Sequence, residues 1–252
     1  MNKNLKNRNQ FIDALRAFAV LAMIVYHFAW DLGLFNVVDP VIVNSGRWKL
    51  FAVSIGSSFL FLSGISFWLA SRNGINFKKF TFRLFFLIAA ALIVSFGTYV
   101  ANSQTFVFFG ILHLLSVCTL LGLLIYKLPM IVILIIGFLI LFLEPYLISE
   151  FYKPKYLAWT GLYTGPTGSV DFYGFFPWSS SYIFGLGISK IIFKKKEQFL
   201  FNSSTLKILN RKGFFSKSFF WLGRNSLIVY LIHQPILIGI IYIYLNYIHV
   251  IL

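Results

Sequence analysis

The chain has 252 residues, of which 59% are hydrophobic and only 12% charged, with a mean hydropathy of +0.81. A soluble domain carries about 25% charged residues, so a water-soluble globule and a disordered chain are both excluded; the composition is that of an all-α polytopic membrane protein. The net charge is +15, from 22 Lys and Arg against 7 Asp and Glu, but the cations sit in short stretches between apolar runs, which sets membrane topology and predicts no nucleic-acid partner.

A helix needs about 17–25 apolar residues to cross roughly 30 Å of hydrocarbon with its backbone satisfied. In chain order, spans are expected at 11–32, 49–70, 84–101, 106–126, 128–148, 176–193 and 219–248. No cleavable signal peptide is expected, because the first run has full spanning length and lacks a small-residue cleavage site. The last run carries Pro235, which predicts a kink or break there, or a short surface helix before the span. With the N-terminus cytoplasmic, 18 of the 22 basic residues fall inside, and only Arg47, Lys49, Lys153 and Lys155 fall outside. The expectation is about seven transmembrane helices, an N-terminus in the cytoplasm and a C-terminus outside. Segment 194–218 is then the main basic cytoplasmic loop, and 149–175 the main external loop. The chain shows no internal repeat and reads as one domain over 1–252.

Ionisable residues inside a span are costly and normally face protein or a water-filled cavity. The first span holds four: Asp13, Arg16, His27 and Asp31. At about 100° per residue they fall within a sector of about 60°, and about 27 Å separates Asp13 from Asp31 along the axis. One face therefore carries charge at both ends of the helix. Asp31 lies one turn beyond His27, where a carboxylate can orient an imidazole and raise its basicity. The plainer reading is an interfacial Asp13–Arg16 ion pair and a His27 bonded to a neighbouring helix.

Further along, His113 lies inside the fourth span, either a ligand for a reacting oxygen or a core histidine bonded between helices. Cys118, the single cysteine, excludes an internal disulfide and reads as a small core residue. His233 precedes Pro235, whose ring frees a carbonyl that needs a donor, and His249 reads as incidental. Four histidines at unrelated spacing and no cysteine cluster predict no metal site.

Several motifs then fall in order along nearly the whole chain: Ile12-Asp13-Ala14-Leu15-Arg16 running to His27, Phe61-Leu62-Ser63-Gly64, Gly110-Ile111-Leu112-His113, Phe176-Pro177-Trp178, and Leu222-Gly223-Arg224-Asn225 running to His233-Gln234-Pro235. This set resembles the transmembrane acyltransferases, and most of all the bacterial relatives of heparan-alpha-glucosaminide N-acetyltransferase. The spacing from Arg16 to His27 is also similar to that of the related membrane O-acyltransferases. Two departures stand out: Ala17 replaces the family's Gly after the Arg, and segment 33–48 lacks the loop His of the lysosomal-type enzyme.

The resemblance implies a plasma-membrane acyltransferase that moves an acetyl group from cytoplasmic acetyl-CoA to an extracytoplasmic sugar amine or hydroxyl of the cell envelope. In that reading His27 is the general base held by Asp31, and His113 offers a donor to the oxyanion. Asp13 and Arg16 line the inner half of the donor channel. Lys79, Arg83, Arg224 and Asn225 face the CoA phosphates, although the same cations also suit anionic lipid headgroups. Asp171 and Trp178 lie where the glycan or amino-sugar acceptor enters. The expected partners are membrane lipids, acyl-CoA and that acceptor, with self-association left open. The alternative is a transporter or lipid-handling protein that uses the charged face as a proton or substrate path.

Overall fold

The computed structural model describes residues 10–193 and 213–248, so most of the basic 194–218 segment and His249 lie outside the described residues. The elements are α1 (Gln10–Leu34), α2 (Pro40–Asn44), α3 (Gly46–Ser71), α4 (Phe77–Ala101), α5 (Ile111–Ile125), α6 (Met130–Leu147), two short 3-10 turns (Glu150–Tyr152 and Lys155–Thr160), α7 (Phe175–Ile192), α8 (Phe214–Arg224) and α9 (Ser226–Ile243), which runs into a π turn (Tyr244–Ile248). No strand occurs among the described residues.

Among the described residues, five helices are long and apolar enough to cross a membrane: α1, α3, α4, α6 and α9. The fourth expected span is the apolar but shorter α5, with 15 residues, and the sixth is α7, with 18. The last expected run is divided at Asn225, so the short helix before the span is what the chain forms. Pro235 sits inside α9, which continues through it.

The chain forms two compact units, Met1–Phe59 with Glu197–Leu252, and Leu60–Lys196. In the first, α1 packs against α8 and α9. The α1–α8 contact is set by small residues: a Cβ on Gly223 would stand 1.8 Å from the Asp13 carbonyl oxygen, and Ala14 and Ala17 are buried. Without a strong hydrophobic drive between helices in lipid, such close approach is what association rests on.

In the second unit α7 lies at the centre, with Tyr182, Ile183, Leu186, Ser179 and Ser189 all at 0% exposure. It meets the second half of α3 through a reciprocal glycine contact. A Cβ on Gly64 would come within 2.0 Å of the Tyr182 carbonyl, and one on Gly185 within 2.0 Å of the Phe61 carbonyl. The Phe61-to-Gly64 motif is thus a packing seam. By contrast α4 and α6 leave Phe82, Phe85, Phe96, Ile131, Phe138 and Phe142 exposed, as a surface solvated by lipid tails would be.

Gly64→Ala should therefore destabilise the protein by about 1–3 kcal/mol, the cost of overpacking. Gly97→Ala, at a position with nothing within 4 Å, should be neutral or slightly stabilising. Thermal unfolding of the two variants in detergent checks the contrast.

Candidate functional site

The polar face of α1 meets α9 at its far end. His27 donates from Nδ1 to the Met23 carbonyl at 3.0 Å, one turn back on its own helix. A carbonyl only accepts, so Nδ1 carries the hydrogen and Nε2 keeps its lone pair. His233 repeats the arrangement on α9, where its Nδ1 donates to the Tyr230 carbonyl at 2.6 Å. Its Nε2 is buried and has no partner. The two rings stand edge to face, with centroids 4.8 Å apart. Tyr26 lies against His27 on the other side, its ring centroid 5.4 Å away.

Asp31, at 0% exposure, accepts from the Gln234 side-chain amide at 2.5 Å through Oδ1. Its Oδ2 and the Oε1 of Gln234 are buried without partners. The expected Asp31–His27 bond is therefore replaced: the carboxylate takes the amide from α9, and the imidazole is held by its own helix. Three buried acceptors, on Asp31, His233 and Gln234, are left unpaired, a costly state in apolar surroundings.

At the opposite end of the same face Asp13 meets Arg224 of α8, with Nε and Oδ2 3.5 Å apart. Gly223 makes this approach possible. Arg16 is half-buried on the same helix. Asn225 donates from its side chain to the Trp221 carbonyl at 2.9 Å and ends α8 there.

The second unit gathers another set of expected residues. His113, third residue of α5, accepts at Nδ1 from the Gly110 N–H at 3.2 Å. Its Nε2 lies 3.2 Å from Ser95 Oγ, and that hydroxyl donates to the Val107 carbonyl at 2.6 Å. Nε2 is thus the donor, and both ring nitrogens are spent on joining α4 to the start of α5. Asp171 accepts from the Ile111 N–H at 3.4 Å, an anion at a helix N-terminus. A Cβ on Gly110 would stand 2.4 Å from its carboxylate. Trp178 packs edge to face on Tyr173, with centroids 4.6 Å apart. Lys79 is exposed at the start of α4, where its N–H is capped by Asn76. Arg83 points inward, 3.5 Å from Ser63 Oγ and in electrostatic reach of Tyr182.

Sequence reasoning brought His27 and Asp31 to one face but missed Gln234 and gave His233 no chemical role. The available signal was the pair of adjacent polar residues in an otherwise apolar span. Among the described residues, no group of three or more His, Cys, Asp or Glu side chains is placed to hold a metal ion.

Residues 8–235 match the family described as heparan-alpha-glucosaminide N-acetyltransferase, catalytic. Neither a curated protein nor a solved structure matches the chain.

The Asp13–Arg224 contact yields a test of its own. Arg224→Ala removes one cationic partner of the buried Asp13 carboxylate and should cost about 1–3 kcal/mol. Adding Asp13→Asn should recover part of that loss, since the charge that loses this contact is then gone. Unfolding midpoints of the single and double variants measure it.

Proposed function

The chain belongs to the heparan-alpha-glucosaminide N-acetyltransferase catalytic family, and from that premise we propose that it transfers an acetyl group from cytoplasmic acetyl-CoA to an extracytoplasmic amino-sugar amine, or to a sugar hydroxyl, of the cell envelope. The membrane is proposed to be the plasma membrane, and 1–252 to work as one catalytic domain.

The observation that carries the reading is the Nε2 lone pair of His27, fixed by the Nδ1–Met23 bond, on a ring 4.8 Å from that of His233 of α9. Neutral imidazole is suited to take the acceptor's proton as it attacks the thioester, because its Nε2 keeps the lone pair while Nδ1 holds the hydrogen. Asp31 contributes negative charge one turn away and anchors Gln234, instead of gripping the ring itself. Arg16 and Arg224 are the candidate cations of this unit for CoA phosphates, with Asp13 beside Arg224 and Asn225 ending its helix. Lys79 is the exposed candidate of the other unit. Arg83, turned toward Ser63, is better suited to packing than to a phosphate. His113 serves as a helix cap, because both of its ring nitrogens are already bonded and none is left to donate to the oxyanion. The aromatic surface of Tyr173 and Trp178, beside Asp171, suits recognition of a sugar ring.

A seven-span topology with the N-terminus inside accompanies this reading. Asp13, His27 and Asp31 meet Arg224, His233 and Gln234 in the same order, so α1 and α9 run parallel. If both cross, the last pass repeats the direction of the first, the number of passes is odd, and the termini lie on opposite sides. Counting α5 and α7 with the five long helices gives seven. A reporter fused after Leu252 should be active only outside the cytoplasm, and one inserted within 200–210 only inside; both on one side would overturn it.

The chemistry is tested with purified protein, radiolabelled acetyl-CoA and a panel of envelope glycans. His27→Ala should lower turnover by about 10²–10⁴-fold, the usual cost of a lost general base. Asp31→Asn should cost less, because the amide–amide contact to Gln234 can persist. Substrate flux across vesicles without consumption of acetyl-CoA would favour the transporter reading.

A further inference from the structure

We infer that His233 is a second base of this site, the one that takes the first proton from an amine acceptor. The inference rests on the acetyltransferase reading above and extends it to a residue which that reading leaves idle.

The geometry offers more proton-accepting capacity than one base requires. His27 and His233 each have Nδ1 committed to a carbonyl of their own helix, so both present Nε2 as an acceptor. Their ring centroids are 4.8 Å apart. Asp31 Oδ2, Gln234 Oε1 and His233 Nε2 are all buried and unpaired. Every unsatisfied atom of the cluster is thus an acceptor, and one belongs to a carboxylate. The complementary ligand is a cationic group rich in N–H donors. A primary ammonium is such a group, with three donors and one positive charge.

An ammonium cannot attack a thioester, because its nitrogen lone pair is bound to a proton. It must lose one proton to become a nucleophile and a second as the amide forms. In the first step R–NH3+ gives a proton to His233 Nε2, leaving R–NH2. In the second, the amine nitrogen bonds to the thioester carbonyl carbon. His27 Nε2 takes the second N–H proton and returns it to sulfur as the C–S bond breaks. The products are R–NH–CO–CH3, HS–CoA and protonated His233, which releases its proton to water before the next cycle. A hydroxyl acceptor would need only the second step and would leave His233 without work.

The ionisable groups against His233 are His27 from α1 and Tyr230 from its own helix, and Asp31 of α1 bonds the neighbouring Gln234. The cation Arg224 of α8 is engaged at the other end, with Asp13. Asp31, through Gln234 beside His233, supplies the negative charge that a protonated His233 requires.

The test measures acetyl transfer from acetyl-CoA to a methyl glucosaminide by full-length protein in detergent, from a pH below the acceptor's own pKa to one above it. His233→Gln should be slowed at least about 100-fold at the low end. It should recover to within a few fold of the native chain once the acceptor is delivered as free amine. His27→Gln should remain depressed at every pH. A His233→Gln curve that parallels the native one, or that stays uniformly low without recovery, would overturn the inference. His233→Asn, with unfolding temperature measured alongside, serves if the Gln variant fails to fold. A native protein that transfers nothing to the amine at any pH overturns the acetyltransferase reading itself, whereas native transfer without the pH rescue overturns only the role of His233.

Discussion

In hydrocarbon no water stands ready to pair a stray polar atom, and the arrangement of this chain follows from that constraint. Ser54, Ser58, Ser66, Ser71, Ser116 and Thr119 each return the hydroxyl to the carbonyl four residues back on the same helix. Lys190 of α7 reaches the Leu128 carbonyl in the turn after α5. Against this background the exceptions carry information. In the first unit they gather at one place, Asp31, His233 and Gln234, around a histidine with a free lone pair. In the second they are the hydroxyls of Tyr182 and Ser179 on the central helix. Among the described residues the buried Ser71, Ser116, Thr119, Ser180 and Ser189 are bonded, whereas Asp31, His233 and Gln234 keep bare acceptors.

The same constraint shapes the helices. A helix surrounded by protein need not be strongly apolar, since its small residues admit neighbours and its hydroxyls bond to its own backbone. The central α7, with Ser179, Ser180, Gly185, Gly187 and Ser189 buried, is therefore less apolar than the lipid-facing α6, whose sequence from Met130 to Ile140 is almost wholly aliphatic. Hydropathy reports exposure to lipid and underrates the helix at the centre. This is why α7 is absent from the five long apolar helices although its sequence run was legible as a span.

Much of the architecture was readable in the sequence: the helical class, the long apolar runs, and the common face of Asp13, His27 and Asp31, which follows from helical periodicity alone. The glycine motifs were also visible, and the structure supplies their reason in the contacts at Gly64 and Gly223. What could not be read was the choice of partner. Periodicity places Asp31 one turn from His27 but says nothing of the amide that α9 brings to the carboxylate. It likewise places Arg83 near a helix start without revealing that the side chain turns to Ser63. The short helix before the last span was one of the expected outcomes, but its boundary at Asn225, rather than at Pro235, was not readable.

The histidines show how position within a helix decides chemistry. In a helix interior every backbone N–H is already bonded, so an imidazole that folds back on its own turn meets only carbonyls. His27 and His233 do this, which forces the hydrogen onto Nδ1 and leaves Nε2 basic. At a helix start the first N–H groups have no carbonyl to reach. His113 stands there, accepts the Gly110 N–H at Nδ1 and must carry its hydrogen on Nε2, where Ser95 takes it. Identical side chains thus become two rings with an Nε2 lone pair and one structural donor, through the backbone group each finds one turn away. Moving a histidine by a single turn relative to a helix end would exchange these roles, so the helix boundaries of α1, α5 and α9 are as much a part of the site's chemistry as the imidazoles themselves.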